Sequence, residues 1–342
     1  MKLLSGIKNK RIILIFVSVF FTITFIYVFK SDTFSVENEK IKIARVNSLA
    51  HKDIVIIAID DDTIREFDNY GIHWPFPGKS YAKFIRFITT GKPSAIFFDI
   101  FFESRGEDHK DFADAIEKSG CTFLNCIFLP EETSKYSDLK ERLAVLDRVK
   151  FPVNSEDSSV DLFNDVLLPD SLLASKSKGI GFTNIIFDDD KIIRKIPLVI
   201  RYKGFYYPCI DLMLVMNYFG ISQKDVEIKT GHYIRLKNIP LEKMAKPNSG
   251  RYIDIPVDGN GFMKINFIGG NGSFPQFSYY WFWRDGSMKG NNLLKGKICL
   301  VGFTNSNVDI HRIPEHGDIS GAEYHANAIN TILTQNFVAI EK

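Results

Sequence analysis

Catalytic signatures are missing from this sequence: it holds no GxSxG, no P-loop, no CxxC pair and no HExxH. Nothing in the chain therefore reads as a serine hydrolase, a nucleotide-phosphate cradle, a thiol redox centre or a zinc protease. Cysteine is scarce, with four in 342 residues, and does not form a disulfide framework. Cys121 and Cys126 fall in one apparent strand, where their odd separation sends the two side chains to opposite faces. With Cys209 and Cys299 they read as small buried hydrophobes. A basic surplus is lacking too. The 43 Lys+Arg barely exceed the 41 Asp+Glu, and Lys2, Lys8, Lys10, Arg11 and Lys30 crowd into the first 30 positions, which hold no acid. The rest of the chain is slightly acidic, which excludes nucleic-acid binding driven by phosphate neutralisation. Internal repeats, collagen triplets and coiled-coil heptads are absent as well.

What is present is hydrophobic and aromatic: 45% of residues are hydrophobic, with 30 Phe and 13 Tyr. That composition belongs to a folded protein with a large core, not a disordered one. The longest apolar run, IILIFVSVFFTITFIYVF from Ile12 to Phe29, carries no charge. As a helix it would be roughly 27 Å long, close to a bilayer's hydrocarbon thickness. Apolar residues cover every face, which favours a membrane span over a core helix. Bulky Tyr27, Val28 and Phe29 at its end do not resemble a signal-peptidase site, so the segment is expected to stay as an anchor. Lys8, Lys10 and Arg11 just before it place the N-terminus in the cytoplasm. The expected organisation is a cytoplasmic N-terminus at 1–11, a transmembrane anchor at 12–29, a juxtamembrane linker at 30–50 and an extracytoplasmic domain at 51–337. The chain would then be single-pass in the inner (cytoplasmic) membrane.

The outer part reads as mixed α/β: a mainly parallel sheet with flanking helices and β-hairpin insertions. Ile54 to Ile59 and the run SAIFFDIFF at 94–102 are apolar strands of the kind buried on both faces. Between them Tyr81, Phe84, Ile85 and Ile88 make a helical stripe closed by Gly91 and Pro93, completing a βαβ unit. HKDFADAIEKSG predicts another helix, leading to a strand at 121–128. Residues 131–178 resemble a surface insertion with a helical piece near Leu139 to Val149. The alternating stretch after 181, with turn residues at Asp189-Asp190 and Lys203-Gly204, predicts β-hairpins. A helix near 209–219 stops at Gly220, and β-rich sequence continues to 270. The parallel pattern returns with a strand from Lys297 to Val301 and a helix near 320–334, and the terminal strands are expected to share one sheet.

Seven ordered segments resemble the second type of CHASE domain, the extracellular sensory modules of bacterial cyclases and kinases. They are IVIIAIDDDTI (54–64), HWPFPGKSYAKFI (73–85), AIFFDIFF (95–102), GFTNIIFDDDKIIRKIPL (181–198), NGFMKINFIGGNGSFPQFS (260–278), LLKGKICLVGFT (293–304) and GAEYHANAINTIL (321–333). The chain departs from the pattern at Asp190-Lys191, where a hairpin Asp-Gly is common, and at Ile313-Pro314, where Thr-Pro is common. The resemblance implies a sensor rather than an enzyme. It also implies a cyclase or kinase output beyond Lys342 or on another chain. No cofactor is expected. The partners expected are the membrane, a small molecule or ion as signal, and a second copy of the chain or a separate signalling chain.

In parallel sheets ligands gather outside the carboxyl ends of the strands. Asp60 and Asp61 end the first strand, Asp99 and Glu103 follow the second, and Thr304, Asp309 and His311 follow the last. Converging, they would form an acidic pocket for an amine or for a hard divalent cation such as Ca²⁺ or Mg²⁺. The competing reading is that these carboxylates cap helices and fix loops. His325 reads as a hydrogen-bonded packing residue, Arg194 as a partner of a nearby carboxylate, and the Tyr279–Trp283 aromatic run as core or as a sugar- or lipid-contacting surface. An exported enzyme using the acidic pocket and a passive envelope scaffold stay open as alternatives.

Overall fold

Strand β1 (Ile54–Ile59) has all six side chains buried. A strand so apolar on both faces needs cover on both sides, and the rest of the chain supplies it. The computed structural model describes residues 47–103, 108–131, 139–153, 163–284, 292–304 and 308–339. The expected anchor at 12–29 lies outside them, and among the described residues no helix is long and apolar enough to cross a membrane.

In chain order the helices are α1 (Asp61–Asn69), α2 (Gly78–Thr89), α3 (His109–Ser119), α4 (Leu139–Leu146), α5 (Ser171–Lys176), α6 (Ile210–Phe219), α7 (Tyr279–Arg284) and α8 (Gly321–Thr334). After β1 come strands β2 (Ala95–Phe98), β3 (Thr122–Leu129), β4 (Phe151–Pro152), β5 (Asp165–Leu167), β6 (Gly179–Phe182), β7 (Lys195–Pro197), β8 (Val199–Tyr202) and β9 (Phe205–Pro208). They are followed by β10 (Val226–Lys229), β11 (Tyr233–Leu236), β12 (Ile253–Pro256), β13 (Phe262–Lys264), β14 (Gln276–Ser278), β15 (Ile298–Phe303), β16 (Ile310–Ile313) and β17 (Gly317–Ser320).

The main sheet runs β14-β1-β15-β2-β3, with β6 and β5 both pairing with β3. Every pairing in it is parallel except that of β5. The two strands that the sequence marks as a βαβ unit, β1 and β2, are parallel but not neighbours: β15 lies between them and pairs with both. Consecutive residues of β2 show the two faces. Phe98 meets Tyr81, Phe84 and Phe112 of α2 and α3, whereas Phe97 meets His325 of α8. On the first side α2 packs against α3 and α7, and Phe84 stacks on Tyr279 with ring centroids 4.1 Å apart. On the second side α6 packs against α8.

Several expectations change against this frame. The segment after 181 makes one hairpin, β8–β9 around Lys203-Gly204, and not two. Gly179–Phe182 is instead a parallel strand of the main sheet, and Asp188 and Asp190 bind Arg194 at 2.8 and 2.7 Å, folding that stretch into a loop. Residues 131–178 are more than a surface insertion. Leu146, Val149, Phe151, Val166 and Leu173 all enter the core, because β5 pairs with β3 and α5 packs on α3. The Tyr279–Trp283 run is core, with Tyr279, Tyr280 and Phe282 buried. All four cysteines are free; three are buried and Cys121 is half-buried.

Candidate functional site

Strand β2 stops at Phe98, and Asp99 follows it with its N–H still donating to Val301 of β15. Its carboxylate faces a cavity of about 380 Å³ whose polar wall includes Asp99, Asn125, Thr183, Asp309, His311 and His325. The cavity opens at the carboxyl ends of β2, β3 and β15, where parallel sheets place their ligands.

Two glycines let the wall close. A Cβ at Gly181 on β6 would lie 2.6 Å from both N and Cα of Ile210. Glycine thus lets the N-terminus of α6 lie directly on the sheet, bringing Asp211, in its first turn, into the interior. A Cβ at Gly321 would lie 1.9 Å from Asp309 Oδ2 and 2.9 Å from Asp99 Oδ2, so both carboxylates share the space its missing side chain leaves. The Gly321 N–H donates to Asp309 O at 2.9 Å, holding Asp309 at a left-handed φ of 52°. Gly321→Ala is expected to push the Asp309 carboxylate out of the wall at a cost of about 1–3 kcal/mol, read from urea unfolding. A stability equal to that of the unaltered chain would contradict this packing.

Helix α8 carries the imidazole. Ser320 caps it, accepting from the Glu323 N–H at 3.3 Å, and nearly every side chain of the helix is buried. His325 Nδ1 lies 3.0 and 2.9 Å from the two Asp211 oxygens, and its Nε2 is 3.8 Å from Asp99 Oδ1. Burial alone would lower the pKa of His325, but the Asp211 and Asp99 carboxylates outweigh it and raise it to about 9. The ring is an imidazolium whose Nδ1–H donates to Asp211. Asp99 is shifted the opposite way to an ordinary ion-paired carboxylate. Burial lifts it to about 7, helped by Asp309 and Asp211 and opposed by His325. For Asp309, burial pushes upward but is outweighed by the bond from His311, whose Nε2 is 2.9 Å from Asp309 Oδ1, and its pKa stays below the usual carboxyl value.

Two acceptors in this wall receive no hydrogen bond from a donor, although the Asp99 carboxyl, when protonated, shares a hydrogen bond with the Asp309 carboxylate. Asp99 Oδ2 and Asn125 Oδ1 are both buried and accept no hydrogen bond. Asn125 is 4% exposed. Burying an acceptor without a donor costs on the order of 1–3 kcal/mol each. Among the described residues no group of three or more His, Cys, Asp and Glu is arranged to hold a metal ion.

Of the seven residues singled out in the sequence, the structure brings together Asp99, Asp309 and His311. Asp60 instead caps α1: its Oδ1 accepts from Thr63 N at 2.8 Å, Thr63 Oγ1 at 2.7 Å and Ser278 Oγ at 3.0 Å. Asp61 is exposed in the first turn of α1, and neither exposed Glu103 nor Thr304, whose N–H reaches Ile59 O at 3.4 Å, lines the cavity. Sequence reasoning placed His325 in packing and passed over Asp211 and Asn125. The signal was there: Asp211 is the one acid in the apolar helix IDLMLVMNYF, and Asn125 interrupts the strand TFLNCIFL.

No curated protein and no solved structure matches the chain significantly. The CHASE2 domain description matches residues 15–342, nearly the whole sequence. The chain therefore belongs to the CHASE2 family, whose domains are sensory and not catalytic modules.

Proposed function

We propose that this chain is the extracytoplasmic input domain of a membrane-anchored receptor, with the cavity between Asp99 and Asp309 as its signal-binding site. The observation that carries the reading is that cavity, at the carboxyl edge of a parallel sheet, holding two buried acceptors that receive no hydrogen bond from a protein donor. The uncharged run from Ile12 to Phe29, preceded by Lys8, Lys10 and Arg11, supports anchoring with the body outside. A ligand changes the state of such a receptor only by binding one arrangement more tightly than another. The anchor helix conveys that difference by moving against a second helix, which a second copy of the chain or a partner signalling chain that supplies a cyclase or kinase would provide.

The topology is tested in spheroplasts with Glu242→Cys, at an exposed position, and a membrane-impermeant maleimide. Labelling of intact spheroplasts is expected. Labelling that requires lysis would place the body inside and remove the sensing of an external signal.

A further inference from the structure

The chemistry of the cavity wall narrows the ligand. Asp99 Oδ2, once ionised, and Asn125 Oδ1 are buried acceptors that receive no hydrogen bond from a protein donor, so a ligand that satisfies them has to bring donors. Asp309 stands beside Asp99 at the Gly321 gap and adds a further acceptor of negative charge. The remaining wall is largely apolar, with Trp74, Ile100, Ile127, Ile185, Phe303 and Val308 facing the same space. The volume, about 380 Å³, is at the small end of organic-ligand sites and far larger than a bare cation fills.

We infer that this cavity takes a small organic ammonium ion with an apolar body, the ammonium N–H groups donating to Asp99, Asn125 and Asp309. An ammonium has three donors and no acceptor, and its bonds to carboxylates are charge-assisted. The inference rests on the cavity being the sensory site. It also fixes a proton balance. Asp99 faces His325 on α8, Asp211 on α6, and Asp309 and His311 at and before β16. Near neutrality Asp99 is partly protonated, and a cation seated against its Oδ2 expels that proton. Affinity therefore rises with pH as Asp99 ionises, by about tenfold between pH 6 and pH 8.

The test is calorimetric titration of the full chain in mild detergent with three probes that share a phenethyl body: phenethylammonium, neutral 2-phenylethanol and anionic 3-phenylpropionate. Each is run at pH 6 and pH 8 in two buffers of different ionisation enthalpy. Phenethylammonium alone is expected to bind, about tenfold more tightly at pH 8, with close to one proton released at pH 6. Asp99→Asn removes the proton release and the pH dependence. Asn125→Leu weakens binding at least tenfold but keeps the proton release, and melting curves verify that both variants fold. Binding of the neutral or anionic probe in preference overturns the ammonium class while leaving the cavity as the sensory site. So does ammonium binding that neither substitution alters, or no binding of any probe at millimolar concentration. Ammonium binding together with maleimide labelling of Glu242→Cys only after lysis would instead remove the sensory role and keep the amine site.

Discussion

Asp211→Ala is expected to destabilise the domain by about 3–5 kcal/mol, the cost of leaving a buried charge without its partner. Asp211 is fully buried and His325 is 2% exposed. The imidazolium keeps its charge in that setting because two Asp211 oxygens lie within 3.0 Å of Nδ1. An opposite charge at about 4 Å is worth roughly 4 kcal/mol at an effective dielectric near 20, enough to offset much of the desolvation. Without Asp211, Asp99, at 3.8 Å, and the Asp309 carboxylate remain to balance the ring. His325 then loses its proton or the helices part. The measurement is the guanidinium midpoint with an unchanged m-value. Replacing both residues by leucine is expected to recover much of the loss, since an apolar pair does not require charge compensation. A loss under about 1 kcal/mol for the single substitution would show that the pair carries little of the stability.

Stability is expected to fall steadily as pH rises from about 5 to 9. Asp99 has a folded pKa of about 7 against an ordinary 3.8, so over that interval the folded state keeps a proton that the unfolded chain gives up. Each pH unit there costs up to about 1.4 kcal/mol. Glu323 acts in the same direction: burial raises it from 4.5 to about 7, against the N–H groups of Gly272, Phe274 and Ser273. His325 gains stability from a pKa raised from 6.5 to about 9, in full below 6.5 and lost as pH passes through 9. Asp309, held low, contributes only above its ordinary value and does not reverse the trend in this window. Unfolding at pH 5, 7 and 9 checks the slope. Asp99→Asn is expected to flatten the lower half and His325→Gln the upper. A profile that climbs between pH 5 and 9 would contradict the charge states assigned to this cluster.

The main sheet was legible because buried parallel strands are continuous apolar runs, and β1, β2 and β15 contain little else. Helices α2 and α8 were legible from stripes that recur every three or four residues. Helix α1 was not, because only Thr63 and Phe67 are buried in DDTIREFDN and its start depends on an Asp60 cap, not on an apolar face. The stretch after 181 alternates like a hairpin, yet Gly181 is there for the close approach of Ile210, a tertiary requirement that local periodicity does not show. The site was half visible for the same reason. Strand ends pointed to Asp99, and the chain after β15 to Asp309 and His311. Asp211 comes from the first turn of α6 and Asn125 and His325 from within β3 and α8, and only the folded packing of α6 on α8 brings Asp211 and His325 together.

The position of β15 bears on the order in which the molecule can be assembled. Residues 298–303 fill the seam between strands that end by residue 98. A ribosome or translocon that delivers the chain from its N-terminus therefore holds β1 and β2 for some two hundred residues without the neighbour that joins them. Such distant pairing folds slowly and leaves sticky edges bare in the meantime. Helper proteins that shield nascent chains are thus expected to matter most just before residue 298 emerges, and a stop upstream of it leaves a sheet with no middle.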